Sequence, residues 1–316
     1  TSGTTESINL IAQSFCRPRL QPGDKIIVTH LEHHANIVPW QLVCEQTGAE
    51  LVVAPINDLG EIELDAMLDL IDEKTFLIGM AHVSNALGTI CPVREVVEHA
   101  RARGIPVVVD GAQGVPHLDI DVQELGCDFY AFSGHKMFGP TGTGVLYGRE
   151  ALLEAMPPWQ GGGDMILEVT FDKTIYNELP YKFEAGTPNI AGVIGLGAAI
   201  DYLQAIGMPR IAAYEQEIHD YMVGELKKIE GIRLIGEARD KASVQSFLLG
   251  DIHSHDLGTI LDHQGVAIRT GHHCAMPAMQ RFGISGTSRA SVALYNNRDD
   301  IDRLVIALGK AREVFA

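Results

Sequence analysis

Short runs of β-branched and aromatic residues alternate with longer amphipathic segments along the first half of the chain. Six runs are predicted strands: KIIVT (25–29), ELVVAP (50–55), FLIGMAH (76–82), VVVD (107–110), DFYAF (128–132) and GVLYG (144–148). The segments between them, such as PVREVVEHARARG, space their apolar residues as helices do and end in Gly, a common helix stop. This alternation predicts an α/β fold with a mostly parallel sheet flanked by helices.

The pattern changes beyond about residue 190, where two long helical segments follow each other. After them come predicted strands at 232–235, 243–249, 266–269 and 288–294, and a last helix with apolar residues at helical spacing. At 316 residues the chain has room for roughly two domains of about 100 to 200 residues each. We expect a large domain over residues 1–205 and a smaller C-terminal α+β domain over residues 206–316.

Charge and composition exclude several classes of protein. Lysine and arginine number 24 against 41 acidic residues, and the net charge of −17 disfavours nucleic acid as a partner. No apolar run approaches the ~20 residues that span a bilayer, and TSGTTESINL does not resemble a signal peptide. The five cysteines form no Cys-x-x-Cys pair, so neither a disulfide framework nor a zinc ribbon fits. We therefore expect a soluble, cytoplasmic protein without membrane contact.

Polar side chains follow four of the predicted strands, at the edge where doubly wound sheets bind ligands. They are, in chain order, Glu32, His33, His34, Ser84, Asn85, Gln113, Ser133, His135 and Lys136. Since the carboxyl ends of parallel strands lie at one edge of a sheet, we expect these residues to form a single site.

Lys136 and Asp110 suggest the chemistry of that site. Lys136 lies in a cramped SGHK loop, where its amine can form a Schiff base with an aldehyde cofactor; an exposed loop lysine is the alternative. Asp110 ends VVVD and can hold a protonated pyridine nitrogen, although a turn-forming aspartate is equally compatible. The hydroxyls and N–H groups of Ser2-Gly3-Thr4-Thr5 precede a helical segment, which favours a phosphate site or an ordinary helix cap.

The segment RTGHHCAMP combines Arg269, His272, His273 and Cys274. A thiol among such side chains can act as a nucleophile, and a buried bystander thiol is the alternative. A metal site is disfavoured because consecutive side chains of an extended chain point to opposite sides, which leaves His272 and Cys274 without a third ligand. Arg289, on a further predicted strand, can bind a carboxylate or pair with a surface acid.

Seven motifs in order carry a resemblance to a known family: TSGTTESIN, EHHANIVPW, HVSNALGT, VVVDGAQ, FSGHK, EAGTPN and RTGHHCAMP. The chain resembles the fold type I pyridoxal phosphate enzymes of the aminotransferase class V family, and within them the cysteine desulfurases of the SufS/CsdA type. The family carries several tens of residues ahead of the first motif, so the chain resembles a fragment that lacks this N-terminal segment.

The resemblance implies a role for each matching residue. Lys136 would form the Schiff base with pyridoxal 5'-phosphate, His33 would stack on its ring, and Asp110 would hold its pyridine nitrogen. Further cofactor contacts are implied at the phenolic oxygen for Gln113, at the phosphate for Thr4, Thr5, Ser133 and His135, and at the phosphate in the other subunit for Thr187. Asn85, Arg269 and Arg289 would bind the substrate, and Cys274 would take its sulfur.

The implied reaction is conversion of L-cysteine to L-alanine, with transfer of sulfur as a Cys274 persulfide to an acceptor protein for iron–sulfur cluster assembly. The implied partners are a SufE-like or SufU-like acceptor, because the RTGHHCAMP loop is short, and a second copy of the chain in a homodimer. Three alternatives stay open: a selenocysteine lyase, a cysteine sulfinate desulfinase, and an inactive fragment with a non-catalytic binding role.

Overall fold

A computed structural model describes residues 1–315, and its larger sheet confirms the predicted α/β architecture. The six strands are β1 (Lys25–Thr29), β2 (Glu50–Ala54), β3 (Thr75–Ala81), β4 (Val107–Asp110), β5 (Phe129–Ser133) and β6 (Gly144–Gly148), in the order β2-β1-β3-β4-β5-β6. The pairs among β1 to β5 are parallel, whereas β6 runs antiparallel to β5. The connection before β6 is too short for the helical crossover that a parallel strand needs.

The helices of the large sheet follow the predicted rhythm. They are α1 (Thr4–Leu10), α2 (Val38–Thr47), α3 (Leu64–Asp69), α4 (Val93–Arg101), α5 (Val122–Leu125) and α6 (Glu150–Ala155), and α1 continues as a π-helical segment to Cys16. Neighbouring residues of a strand belong to different apolar clusters, one on each face of the sheet. Ile27 and Val109 belong to one cluster, and Ile26 and Val108 belong to the other. A sheet buried on both faces needs strands that are apolar at successive positions, as KIIVT and VVVD are.

The second half contains a hairpin and a smaller antiparallel sheet. The hairpin pairs β7 (Ile166–Val169) with β8 (Thr174–Tyr176), and two long helices follow, α7 (Ile190–Ile206) and α8 (Met208–Leu226). The small sheet has the order β11-β12-β10-β9, from β9 (Ile232–Ile235), β10 (Val244–Leu249), β11 (Arg269–Gly271) and β12 (Thr287–Ser291). It packs with α8, α9 (Ser254–His263) and α11 (Arg298–Phe315), while α10 (Met276–Arg281) follows β11.

Two predicted strand ranges of this sheet were wrong. The strand expected at 266–269 is β11, which starts only at Arg269, and the strand expected at 288–294 ends at Ser291. Val266 and Ile268 pack against the apolar cluster of the small sheet without pairing to a strand. The apolar residues at 266–268 are buried without being paired in a strand. An apolar sequence pattern alone does not distinguish a buried segment from a paired strand.

The proposed division at residues 205/206 stays a prediction. It falls at the end of α7, and Leu196 and Leu203 of α7 share an apolar cluster with Ile211 of α8 and with Met137. Among residues 1–315, no single helix is long and apolar enough to cross a membrane; α7 and α8 pass that test only as a pair, by length and composition, and are bent by 76° at their junction.

The first residues of the chain lie against β6 where Gly3 and Gly144 approach each other. The Gly144 N–H donates to the Thr1 carbonyl at 2.8 Å, so the segment before α1 runs beside the strand. A Cβ on Gly144 would lie 2.6 Å from the Gly3 nitrogen and 2.8 Å from the Phe132 oxygen, both of them backbone atoms that cannot rotate away. A residue larger than glycine at position 144 would therefore displace the segment that precedes α1.

We predict that Gly144→Ala lowers the free energy of unfolding by roughly 1 to 3 kcal/mol, because the added methyl displaces residues 1–3. Gly309→Ala in α11 is the matched control, since a Cβ there meets no atom within 4 Å. That control should raise stability by about 0.5 to 1 kcal/mol, as alanine does inside helices. Urea denaturation of both variants measures the difference, and equal effects would contradict the proposed close approach.

Candidate active site

The carboxyl ends of β1, β3, β4 and β5 surround a cavity of about 430 Å³, which lies in the size range of cofactor sites. Predicted site residues that line it are Thr4, Thr5, His33, Asn85, Asp110, Gln113, Ser133, His135, Lys136, Arg269, Cys274 and Arg289. Thr187 is exposed and does not line it. Because its predicted contact lies in another subunit, that role stays a prediction.

The start of α1 meets the end of β5 at one side of the cavity. The Thr4 N–H donates to Ser133 Oγ at 2.8 Å, and the Thr4 and Ser133 hydroxyls also lie 2.8 Å apart. His135 follows in a 3-10 turn over Gly134–Met137, and Thr5 is the second residue of α1. Hydroxyls and N–H groups of two segments therefore converge, and this donor set fits a phosphate group.

Asp110 is the last residue of β4 and lies deep in the cavity wall. Its Oδ1 accepts a hydrogen bond from the Ala112 N–H at 2.9 Å. Burial raises the pKa of Asp110 to about 6, with a smaller opposing effect of the Lys136 ammonium. A buried carboxylate is stabilised by a cationic partner, and a protonated pyridine nitrogen would be one.

Lys136 and His33 both present nitrogen atoms to the cavity. Desolvation lowers the pKa of Lys136, and the nearby Arg289 guanidinium lowers it further. For His33, burial lowers the pKa to about 4, with His34 and Lys136 adding to the effect, so the ring is neutral at neutral pH. Its Nδ1 accepts from the Ala35 N–H at 3.0 Å, which leaves the proton on Nε2.

The far side of the cavity carries cationic groups from the small sheet. Arg269 of β11 pairs in register with Arg289 of β12, and burial together with Arg269 lowers the pKa of Arg289. Arg289 Nη1 donates to the Asn85 carbonyl at 2.6 Å. Within the described chain, Arg289 Nε and Asn85 Oδ1 are buried without a partner. Paired guanidinium groups beside unpaired polar atoms fit a small anionic ligand such as a carboxylate.

The cysteine segment departs from the extended conformation that the sequence analysis assumed. His273 and Cys274 have φ angles of 53° and 55°, in the left-handed region of backbone conformation that residues other than glycine rarely adopt. His273 therefore lines the cavity beside Cys274, whereas His272 does not. No sequence signal distinguishes the two neighbouring histidines. The predicted alternation of side chains along RTGHHCAMP is therefore wrong. Residues 1–315 contain no group of three His, Cys, Asp or Glu residues placed for a metal.

Three of the polar residues expected at this edge are not in the cavity wall: His34 lies beside the segment that carries Cys274, and Glu32 and Ser84 are buried. Glu32 is fully buried. Its carboxyl group accepts hydrogen bonds from Thr29 Oγ1 (2.6 Å), Asn36 Nδ2 (2.6 Å) and the Ala81 N–H (3.1 Å). Burial raises the pKa of Glu32 to about 7. Ser84 is also fully buried, and its Oγ accepts from the Leu87 N–H at 3.2 Å.

Small apolar residues complete the wall. Sequence reasoning did not select them because they carry no reactive group; they are Ala35, Ala81, Val83 and Ala112.

We predict that Asp110→Asn stabilises the ligand-free chain at pH 8 and not at pH 4. The unfolded aspartate ionises near pH 4 but the buried one only near pH 6, so wild type loses stability as pH rises through this interval. The gap corresponds to at most roughly 3 kcal/mol at pH 8. Denaturant unfolding of both proteins at the two pH values measures it, and a pH-independent difference would refute the burial effect.

A lysine, a buried carboxylate, a phosphate cradle and an imidazole around one cavity define a pyridoxal phosphate enzyme of α/β fold. The sequence profile described as aminotransferase class V matches residues 1–304. The chain belongs to this family and, within it, to the group of pyridoxal phosphate-dependent cysteine desulfurases. The predicted family, fold class and cofactor are thereby confirmed.

Three relatives illustrate the similarity. A probable cysteine desulfurase of Xylella fastidiosa (strain 9a5c) is 53% identical over 313 residues, which cover 99% of this chain and 75% of the relative. The crystal structure of the cysteine desulfurase CsdA of Escherichia coli, solved as the S-sulfonic acid, matches with a TM-score of 0.96 at 45% identity. The match covers 99% of this chain and 78% of the CsdA chain. The apo structure of the cysteine desulfurase of Thermococcus onnurineus NA1 matches with a TM-score of 0.94 at 38% identity, and the match covers 98% of this chain and 78% of the Thermococcus chain.

This chain thus spans about three quarters of the length of these relatives. That the chain is a fragment lacking an N-terminal segment stays a prediction.

Proposed function

We propose that this chain converts L-cysteine to L-alanine and takes the sulfur onto Cys274 as a persulfide. The observation that carries the proposal is one cavity lined by Lys136, Asp110, Cys274 and two arginines. The relatives that are named cysteine desulfurase support the same reaction.

The cavity offers a partner for each part of pyridoxal phosphate. Thr4, Thr5, Ser133 and His135 would hold the phosphate, His33 the face of the ring, Gln113 the phenolic oxygen and Asp110 the ring nitrogen. When bound, the cofactor supplies an electron sink for the bonds around the substrate's α-carbon.

Lys136 is placed to move the α-proton of the substrate. Its lowered pKa increases the fraction of neutral amine, the form that accepts a proton. Arg289, Arg269 and the unpaired Oδ1 of Asn85 would position the substrate's carboxylate and amino groups. The substrate would then lie in the cavity that Lys136 and Cys274 both line.

Cys274 receives the sulfur. Its Sγ forms an S–S bond with the sulfur of the substrate while the substrate's C–S bond breaks. The carbon takes up a proton, so cysteine and one thiol become alanine and one persulfide, and no external oxidant or reductant is needed.

The sulfur acceptor and the second subunit belong to the same proposal. Hydrogen bonds hold the loop at His273, before the thiol, and at Met276, after it. A loop held in this way would not swing outward, so a SufE-like or SufU-like protein would come to the thiol and lead the sulfur to cluster assembly. The hairpin and α7 also expose apolar residues, such as Phe171 and Ile194, which suit contact with a second copy. The five free cysteines fit a reducing cytoplasm.

We predict that borohydride reduction of the cofactor-loaded chain attaches the cofactor to Lys136. Peptide mapping locates the modified lysine. Lys136→Ala should retain no reduced cofactor and lower turnover by roughly 10² to 10⁴, the range for loss of a proton-transfer group. Lys173→Ala in the exposed turn of the hairpin is the control and should behave as wild type. Label on another lysine would overturn the assignment.

A second experiment tests the thiol. We predict a burst of one alanine per site in wild type, then slow turnover that an acceptor protein or a reducing thiol accelerates. Cys274→Ser should abolish the burst because the hydroxyl cannot accept sulfur. Cys44→Ser replaces a buried thiol outside the cavity and should retain the burst. Wild-type desulfuration by Cys274→Ser would instead favour a lyase that needs no cysteine nucleophile.

A further inference from the structure

The loop around Cys274 holds an unfavourable backbone conformation. His273 and Cys274 are consecutive non-glycine residues in the left-handed region, at φ angles of 53° and 55°. Such residues persist only when surrounding contacts hold them in place. The contacts made by residues 272–276, here called the cysteine loop, are therefore part of how the thiol is positioned.

Some of these contacts are local. The Cys274 N–H donates to His272 Nδ1 at 3.1 Å, and the Ala275 N–H donates to the His272 carbonyl at 2.8 Å. Bonds within five residues define the shape of the loop. They do not determine where the loop lies relative to the large sheet.

Ala275 packs in an apolar cluster of the large sheet, and the hydrogen bonds that tie the loop to that sheet come from His34 and Asn85. Asn85 Nδ2 donates to the His273 carbonyl at 2.6 Å. The His34 N–H donates to the Cys274 carbonyl at 2.7 Å, and His34 Nε2 accepts from the Met276 N–H at 3.1 Å. His34 therefore binds the cysteine loop at the thiol-bearing residue itself and two residues further on, across about 240 positions of sequence.

The two adjacent histidines after β1 have different surroundings. His33 lines the cavity, whereas His34 does not and lies beside the cysteine loop, with its ring centroid 5.6 Å from that of His272. To accept from Met276, His34 Nε2 must be unprotonated, so a neutral ring carries its proton on Nδ1. A side chain without an acceptor at that position would leave the Met276 N–H without this partner.

We propose that His34 is a positioning residue that clamps the cysteine loop to the large sheet and keeps Cys274 Sγ directed at the substrate's sulfur. The proposal rests on the proposed function for the reaction that the thiol performs. His34 itself touches neither the cavity nor the substrate; it acts through Cys274.

The decisive comparison uses two variants of similar size. His34→Gln retains an acceptor near the position of Nε2, whereas His34→Leu has none, and both keep the backbone N–H that binds the Cys274 carbonyl. His263→Leu at the exposed end of α9 is the matched control. His34→Asn adds a polar variant whose acceptor is too short to reach Met276, in case the leucine variant fails to fold.

The first measurement needs no turnover. Cys16, Cys44, Cys91 and Cys127 are buried, so iodoacetamide alkylation of the native, cofactor-loaded chain reports on Cys274. We expect His34→Leu and His34→Asn to be alkylated several times faster than wild type because the loop is released. His34→Gln and His263→Leu should react at the wild-type rate.

The second measurement separates positioning from substrate binding. In single-turnover alanine formation, His34→Leu and His34→Asn should be slowed roughly tenfold, since small displacements of a reacting group reduce rates strongly. The cysteine concentration at half-maximal rate should stay unchanged, and His34→Gln should restore the rate.

Equal behaviour of the glutamine, asparagine and leucine variants, or wild-type alkylation in His34→Leu, would overturn the clamp. A wild-type chain without desulfuration would refute the proposed function, yet the alkylation rates would still decide on the clamp.

Discussion

Parallel pairing of β1, β3, β4 and β5 is the constraint on which the site depends. Parallel strands end at the same edge, so His33, Asn85, Asp110 and Lys136 reach one cavity although the chain separates them by up to about a hundred residues. Each residue needs only to follow its strand closely. Helices on both faces then bury the strands, and this burial keeps the edge rigid enough to hold reactive groups in place.

Burial also gives these groups their unusual protonation behaviour. The pKa of Asp110 rises to about 6 and that of Lys136 falls, because desolvation disfavours both charges. On the far side, Arg289 and Asn85 keep buried polar atoms without partners in the described chain. Each of these features lowers the stability of the ligand-free chain. A ligand with a cationic ring nitrogen and an anionic group would supply the missing partners and so restore stability. The cavity is thus complementary to the cofactor and substrate of the family.

The cysteine loop shows how the two sheets cooperate. Arg269 and Arg289 come from the small sheet, while His34 and Asn85 hold the cysteine loop from the large one. Relative placement of the sheets therefore determines the distance between the thiol and the lysine.

Sequence by itself determined the α/β rhythm, the strands of the large sheet to within about a residue and the reactive residues after them, because periodicity and turn chemistry act over a few neighbouring residues. It did not determine that β11 begins at Arg269, that His273 and not His272 lines the cavity, or that Glu32 lies behind it. Only the tertiary structure decided these points. The left-handed turn at His273 and Cys274 and the contact of His34 with Met276 depend on packing between segments about 240 residues apart, and no local pattern encodes such contacts.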